Sequence, residues 1–95
     1  MATSEMTRLM AIVHGRVHGV GYRYFAVKEA TPLGLAGFVR NAANGTVEVV
    51  AEGPRPTLEH FLDLLRRGPL AGHVSEVETT WGPATGGFPG FHVRY

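Results

Sequence analysis

Apolar residues recur along the chain with two different spacings, and these spacings predict its secondary structure. Apolar residues at every second position, typical of half-buried strands, occur in segments 8–14, 35–41, 46–52, 73–81 and 91–95. Helical spacing follows the first of these segments over 22–31. A second helical spacing comes after the third alternating segment. It begins at Gly53-Pro54-Arg55-Pro56, and its apolar stripe consists of Leu58, Phe61, Leu62 and Leu65. The predicted order is β-α-β-β-α-β with a short C-terminal strand.

The turn residues agree with this order. Pro32 and Gly34 predict the end of the first helix. Asn44-Gly45 predicts a tight hairpin in which both residues take a positive φ. The Gly/Pro-rich segment 82–90 predicts a loop. Two helices on one face of a mainly antiparallel sheet make a ferredoxin-like α+β sandwich, which we expect as a single domain over residues 1–95. This fold hosts enzymes, RNA binders and regulatory modules alike, so it does not give the function.

Composition then narrows the function. The chain has 95 residues, 44% of them hydrophobic, and contains no cysteine, which excludes disulfides, thiolate catalysis and cysteine-ligated metals. A formal net charge of +1 is small for a nucleic-acid binder. No apolar run approaches the roughly 20 residues of a membrane span, and residues 1–5 do not resemble a signal peptide. We therefore expect a cytoplasmic protein that binds neither nucleic acid nor membrane. The histidines share no metal-ligand spacing, so no metal site is expected.

The segment HGRVHGVGYR, residues 14–23, joins the first predicted strand to the first predicted helix. Glycines at 15, 19 and 21 allow the backbone to turn its N–H groups toward one point, at the partly positive start of a helix. Arg23 adds a planar fork of donors that suits phosphoryl oxygens. On this pattern alone, a flexible connection with a solvated arginine is an equally good interpretation.

The segment GFVRNAANGTV, residues 37–47, contains a second candidate. Alternation places Gly37, Val39 and Asn41 on one face of the second strand. An asparagine near a hairpin commonly bonds its own backbone, and this is the favoured interpretation of Asn41 taken alone.

Taken together, the two segments resemble the two signatures of the acylphosphatase family. Val13 to Arg23 resembles the first, and Gly37 to Asn41, followed by Gly45, Val47 and Gly53, resembles the second. The resemblance implies an enzyme that hydrolyses the carboxyl–phosphate anhydride of small acyl phosphates, without metal, cofactor or covalent phosphoenzyme. It implies that Arg23 and the 15–20 loop hold the phosphoryl group and that Asn41 orients the attacking water. The implied phosphoryl-binding residues are Gly15, Arg16, Val17, His18, Gly19, Val20 and Arg23.

The chemistry of the two segments is consistent with this implication. Phosphoryl transfer needs mainly positioning and charge stabilisation, and a carboxylate is already a good leaving group. Segments 14–23 and 37–47 contain no Asp or Glu, so they neither repel an anion nor offer carboxylates to Mg²⁺. The expected partners are an acyl phosphate substrate and a phosphate or sulfate ion in the loop, bound by a monomer.

Three residues depart from the family pattern. His18 replaces a common glutamine, and its change of charge near neutral pH predicts a pH-dependent substrate affinity. Tyr22 replaces a common phenylalanine, which is tolerable if its hydroxyl reaches a partner. Pro32 should affect helix length rather than chemistry.

Two alternatives remain. An RNA-binding domain of the same architecture is disfavoured, because the third strand has no aromatic residue and two acids. A non-catalytic, anion-binding accessory domain of this fold stays open. The aromatic residues late in the chain are expected to pack in the core or on the edge strand, in preference to forming a platform for the substrate; they are Trp81, Phe91 and Tyr95.

Overall fold

The alternating segments pair into one five-stranded sheet, which a computed structural model describes within residues 5–95. The strands are β1 Met6–Arg16, β2 Ala36–Asn41, β3 Val47–Pro54, β4 His73–Pro83 and β5 Phe91–Val93. The helices are α1 Tyr22–Ala30 and α2 Arg55–Arg67. The strand order is β4-β1-β3-β2-β5, with β2 and β5 parallel and the other neighbours antiparallel. The predicted element order and the ferredoxin-like fold are confirmed.

Both helices cover the same face of the sheet and bury the residues that the patterns indicated. In β1 every second residue is buried, namely Leu9, Ala11 and Val13. In β3 the predicted Val47, Val49 and Ala51 are buried, and so are Val50 and Glu52 between and beyond them. The predicted stripe of α2 joins the predicted residues of both strands in a single core cluster together with Tyr22, Ala26 and Ala30 of α1. Burying each large apolar side chain contributes about 1.5–3 kcal/mol. Neither α1 nor α2 has the length and apolar character that crossing a membrane requires.

The first strand is longer than predicted, and this changes the position of two expected site residues. Gly15 and Arg16 belong to β1, where they pair with Val74 and His73 of β4 across an irregularity in the register after His14. Gly15 has φ 125°, and a Cβ there would lie 2.1 Å from the His73 carbonyl oxygen. The strand therefore continues through the glycine because β4 continues beside it, and the loop proper begins only after Arg16.

The hairpin between β2 and β3 also differs from its prediction. Gly45 has φ 86°, but within residues 5–95 no residue other than glycine has a positive φ, so Asn44 does not take the conformation expected of it. The Ala42 N–H donates to the Thr46 carbonyl oxygen, which makes a longer turn than the predicted two-residue one. Asn44 Oδ1 accepts hydrogen bonds from the Thr46 N–H and hydroxyl. This side-chain contact replaces the backbone conformation on which the prediction rested.

The prediction for the late aromatic residues is wrong at one position. Phe91 is buried edge-on against Phe61, and Trp81 is partly buried against the core. Tyr95, by contrast, is 99% exposed. Strand β5 ends at Val93, and a last hydrogen bond runs from the Arg94 N–H to β2. Tyr95 lies beyond this pairing, so the alternation that predicted its burial no longer applies.

Candidate active site

A cavity of about 360 Å³ lies where the start of α1 meets the ends of β2 and β5. It brings together Arg23 and Asn41, the two residues to which the sequence assigned the chemistry. Its lining residues are Val17, Gly19, Gly21, Tyr22, Arg23, Tyr24, Val27, Asn41, Val93 and Tyr95. The lining contains no acidic side chain. Sequence-distant residues thus form one concave site suited to an anion.

Glycines shape the loop that enters this cavity. Gly19 and Gly21 have φ 73° and 80°, in the left-handed region that favours glycine. The first backbone hydrogen bond of α1 runs from the Phe25 N–H to the Gly21 carbonyl oxygen at 2.9 Å. The N–H groups of residues 22–24 precede it, so the ladder of the helix does not use them. The first turn also contains no acidic residue. The start of α1 therefore offers donors and the positive end of the helix dipole to a ligand.

Arg23 stands in the first turn of α1, as predicted, and is half-buried. Its guanidinium carbon lies 5.3 Å from the centre of the Tyr95 ring. Among residues 5–95, none of the ion pairs joins Arg23 to an acidic side chain. Its charge is thus not neutralised by a carboxylate of the described chain, and its donors remain available for an anionic ligand.

Asn41 is the last residue of β2 and faces the helices, as the alternation predicted. Its Oδ1 is buried and has no hydrogen-bond partner within the described protein. The local backbone bonding expected of an asparagine near a hairpin is made instead by Asn44. A buried acceptor without a partner costs about 1–3 kcal/mol, so Asn41 is suited to receive a hydrogen bond from a molecule bound in the cavity.

The predicted phosphoryl-binding residues fall into two groups. Val17, Gly19 and Arg23 line the cavity. The others do not: Gly15 and Arg16 lie in β1, Val20 lines a neighbouring cavity, and the His18 imidazole turns to the β2–β3 hairpin. His18 Nε2 lies 2.7 Å from the Thr46 carbonyl oxygen, to which it donates. The side chain of His18 therefore connects the loop to the hairpin instead of lining the cavity.

Tyr22 connects the start of α1 to the last turn of α2. Its hydroxyl donates to the Leu65 carbonyl oxygen at 2.7 Å, near the C-terminal end of α2, and burial raises the pKa of this phenol. The carbonyl groups in the last turn of a helix have no partner within that helix. The hydroxyl that distinguishes Tyr22 from phenylalanine therefore has a partner, as the sequence required.

The sequence did not indicate the aromatic and aliphatic wall of the cavity. This wall consists of Tyr24, Val27, Val93 and Tyr95. Tyr24 follows Arg23 directly and lies off the buried stripe of α1, so its position in the sequence could have indicated that it lies at the cavity. The proximity of β5 to α1 depends on the parallel pairing of β5 with β2, which local patterns do not specify.

Known proteins resemble this chain over nearly its whole length. The acylphosphatase family model matches residues 9–93. The acylphosphatase of Thermus thermophilus is 54% identical, over 93% of this chain and 99% of its own length. That of Nocardia farcinica is 49% identical, over 95% of this chain and 90% of its own. The crystal structure of acylphosphatase from Bacillus subtilis has a TM-score of 0.90 and 37% identity, covering 94% of this chain and 99% of that one. The chain belongs to the acylphosphatase family, whose members hydrolyse acyl phosphates.

Proposed function

We propose that the protein hydrolyses the carboxyl–phosphate anhydride of small acyl phosphates in the cavity between Arg23 and Asn41. The observation that carries this proposal is the presence of both side chains in one cavity without acidic side chains, with the buried Oδ1 of Asn41 lacking a protein partner. Arg23 holds the phosphoryl group, and Asn41 orients the attacking water. The backbone of the 17–21 loop and the first turn of α1 supply further donors.

Positive charge and oriented N–H donors hold the phosphoryl group. Charge spreads over the three equatorial oxygens in the transition state, so donors placed around them lower the barrier. The guanidinium of Arg23 presents two parallel N–H groups to two of these oxygens. The N–H groups at the start of α1, with the dipole behind them, face the remaining charge. Within the 15–20 loop that the family resemblance implies, Val17 and Gly19 line the cavity and are the strongest candidates for backbone contact with the phosphoryl group.

Asn41 acts on the water. Its Oδ1 accepts a hydrogen bond from the water, which fixes the molecule and leaves an oxygen lone pair directed at phosphorus. The water oxygen bonds to phosphorus as the phosphorus–acyl oxygen bond breaks. The carboxylate departs with the bond's electron pair, and the water's protons pass to the phosphate product and to solvent. A carboxylate needs no strong general acid to leave, which agrees with a cavity that has no acidic side chain.

The donor set also supports a reaction without a metal ion. Mg²⁺ prefers carboxylate and carbonyl oxygens, and no carboxylate side chain lines the cavity. We therefore expect turnover in excess chelator, and binding of phosphate or sulfate as the product-like ion. A monomeric state, a cytoplasmic location and independence from nucleic acid stay predictions.

Release of inorganic phosphate from benzoyl phosphate in excess EDTA tests the proposal. Wild-type protein should turn over, and Asn41→Ala should lose about 10²–10³-fold in kcat. Inhibition by inorganic phosphate should persist in that variant, because Arg23 and the loop remain. Asn44→Ala is the matched control, since Asn44 lies outside the cavity and bonds only the hairpin. Phosphate binding without turnover in the wild type would contradict the proposal and support the anion-binding accessory function.

A further inference from the structure

The residues that line the active-site cavity are of two chemical kinds. The backbone of Gly19, the guanidinium of Arg23 and the amide of Asn41 are polar. Opposite in character are the side chains of Tyr24, Val27, Val93 and Tyr95, which we call the acyl wall. The volume of about 360 Å³ is in the range of cavities that enclose small organic ligands, which combine apolar walls with a few polar groups. The cavity therefore has a surface of apolar character beyond the groups that bind phosphate.

The two tyrosines of the acyl wall are unusually exposed for aromatic residues. Tyr24 is 72% exposed and Tyr95 is 99% exposed. Isolated exposed apolar residues are common and need no explanation, but two aromatic rings at one cavity, next to two valines, form a surface that a ligand can cover. An apolar group bound here would remove part of the surface of these rings from water.

We propose that the acyl wall is a subsite for the acyl group and selects aromatic or bulky apolar acyl phosphates over acetyl phosphate. This inference rests on the proposed function, because the phosphoryl end must already be held by Arg23. An aromatic acyl group can stack on or meet the edges of the two tyrosine rings, whereas an acetyl group is too small to cover them. Discrimination then comes from the apolar area buried along the wall, not from the phosphoryl end, which all substrates share.

Tyr95 has a second contact that the test must separate from this role. Its ring lies beneath the Arg23 guanidinium, with 5.3 Å between the guanidinium carbon and the ring centre. A residue that only positions Arg23 would affect every acyl phosphate equally, because Arg23 contacts the shared phosphoryl group. A residue of the acyl subsite would affect the aromatic substrate more strongly than acetyl phosphate. The ratio of the two substrates therefore distinguishes the roles.

The experiment measures kcat/KM for benzoyl phosphate and acetyl phosphate in wild type, Tyr24→Ala, Tyr95→Ala and Tyr95→Phe. The ratio of benzoyl to acetyl phosphate should fall about tenfold in each alanine variant. For acetyl phosphate, kcat/KM should fall by a much smaller factor than for benzoyl phosphate in each of these variants. Tyr95→Phe keeps the ring and should keep the ratio. Leu70→Ala is the matched control, since Leu70 is also fully exposed but lines the neighbouring cavity.

The outcomes that overturn the inference are distinct from failure of the proposed function. A ratio within about twofold of wild type in both alanine variants would overturn it. Equal losses on both substrates in both variants would also do so, and would assign the tyrosines to the positioning of Arg23. Circular dichroism checks that each variant is folded. Absence of turnover of either substrate by folded wild-type protein would instead contradict the proposed function itself, and the acyl subsite with it.

Discussion

Two glycine-containing loops in this molecule present backbone N–H groups, and the loops differ in the hydrogen-bond acceptor of these groups. The 17–21 loop leads into α1, whose first N–H groups face a cavity without acidic side chains. The 84–90 loop lies on the other side of the sheet. Its Thr85 and Gly86 N–H groups donate to the Glu52 carboxylate at 2.8 and 2.9 Å, and the Thr85 hydroxyl donates at 3.0 Å.

A side chain of the protein itself therefore accepts the hydrogen bonds of these N–H groups in the 84–90 loop. Glu52 is a buried residue of β3, only 3% exposed. Burial alone would raise the pKa of this carboxyl, but the donors of Thr85 and Gly86 and the nearby charge of Arg8 hold it below its usual range. Phe88 of the loop also packs against Phe38, with 5.9 Å between the ring centres. A charged acceptor and an aromatic contact fix this loop in place.

The comparison shows what makes a glycine-containing loop a binding site. Glycine supplies the backbone conformations in both loops, so conformational freedom does not separate them. The separating feature is the acceptor. Glu52 accepts the N–H groups of the 84–90 loop, whereas no carboxylate side chain of residues 5–95 lines the cavity at the 17–21 loop. We therefore expect an anion from solution at the start of α1 and not at the 84–90 loop, where Glu52 accepts the N–H groups. Changes at either loop test this distinction, and the expected effects decrease in the order given below.

Arg23→Gln should have the largest effect. Loss of the charged fork that holds the phosphoryl group should lower kcat/KM for benzoyl phosphate by at least about 10²–10³-fold. Arg16→Gln is the matched control and should retain activity, because Arg16 lies in β1 and does not line the cavity. Phosphate-release kinetics measure both variants. Similar losses of kcat/KM in Arg23→Gln and Arg16→Gln would contradict the assignment of phosphoryl binding to Arg23.

Glu52→Gln should destabilise the fold without affecting chemistry. An amide cannot replace a carboxylate that accepts three hydrogen bonds, so the free energy of unfolding should fall by about 1.5–3 kcal/mol at neutral pH. Because the folded pKa is lowered, the stabilisation is present above the unfolded pKa of about 4.3 and is lost as the pH falls through the lower folded pKa. Urea unfolding of both proteins at several pH values measures this. A difference that does not shrink in acid would contradict the role of the charge.

Tyr22→Phe should have a smaller effect on stability. The change leaves the Leu65 carbonyl oxygen without its donor, which costs roughly 1–2 kcal/mol. Thermal unfolding should show a decrease of about 4–8 °C per kcal/mol for a domain of this size. Tyr24→Phe is a suitable control, because Tyr24 is exposed. Equal melting temperatures for Tyr22→Phe and wild type would show that the hydroxyl does not stabilise the start of α1.

His18→Gln should have the smallest effect. The imidazole donates to the Thr46 carbonyl oxygen and does not line the cavity, and a glutamine amide can still donate to that oxygen, so KM for benzoyl phosphate should change by only about twofold to fivefold. Steady-state kinetics of both proteins measure this. A loss as large as that expected for Arg23→Gln would contradict the placement of His18 outside the cavity. The pH-dependent substrate affinity expected for His18 from the sequence stays a prediction.

Much of the fold could be predicted from local patterns. The alternation of β1 and the stripe of α2 indicated the buried residues correctly, because a side chain's face follows from its position in a regular element. In β3 the alternation indicated one buried face but not Val50 and Glu52, which are buried as well. Arg23 in the first turn of α1 followed in the same way. The strand ends were less predictable. Gly15 and Arg16 belong to β1 because β4 extends beside them, and a strand's end depends on its neighbour.

The sequence alone determined the elements and most of the core, because these depend on local spacing, and its resemblance to the acylphosphatase family indicated Arg23 and Asn41 as the residues for phosphoryl chemistry. Only the tertiary structure decided which residues share the cavity. It placed Asn41 beside Arg23, brought Tyr95 out of the sheet to face it, and turned His18 toward the hairpin. It also supplied Glu52 to one loop, whereas within residues 5–95 no carboxylate side chain lines the cavity at the other. These outcomes depend on strand order and register, which join segments far apart in the chain.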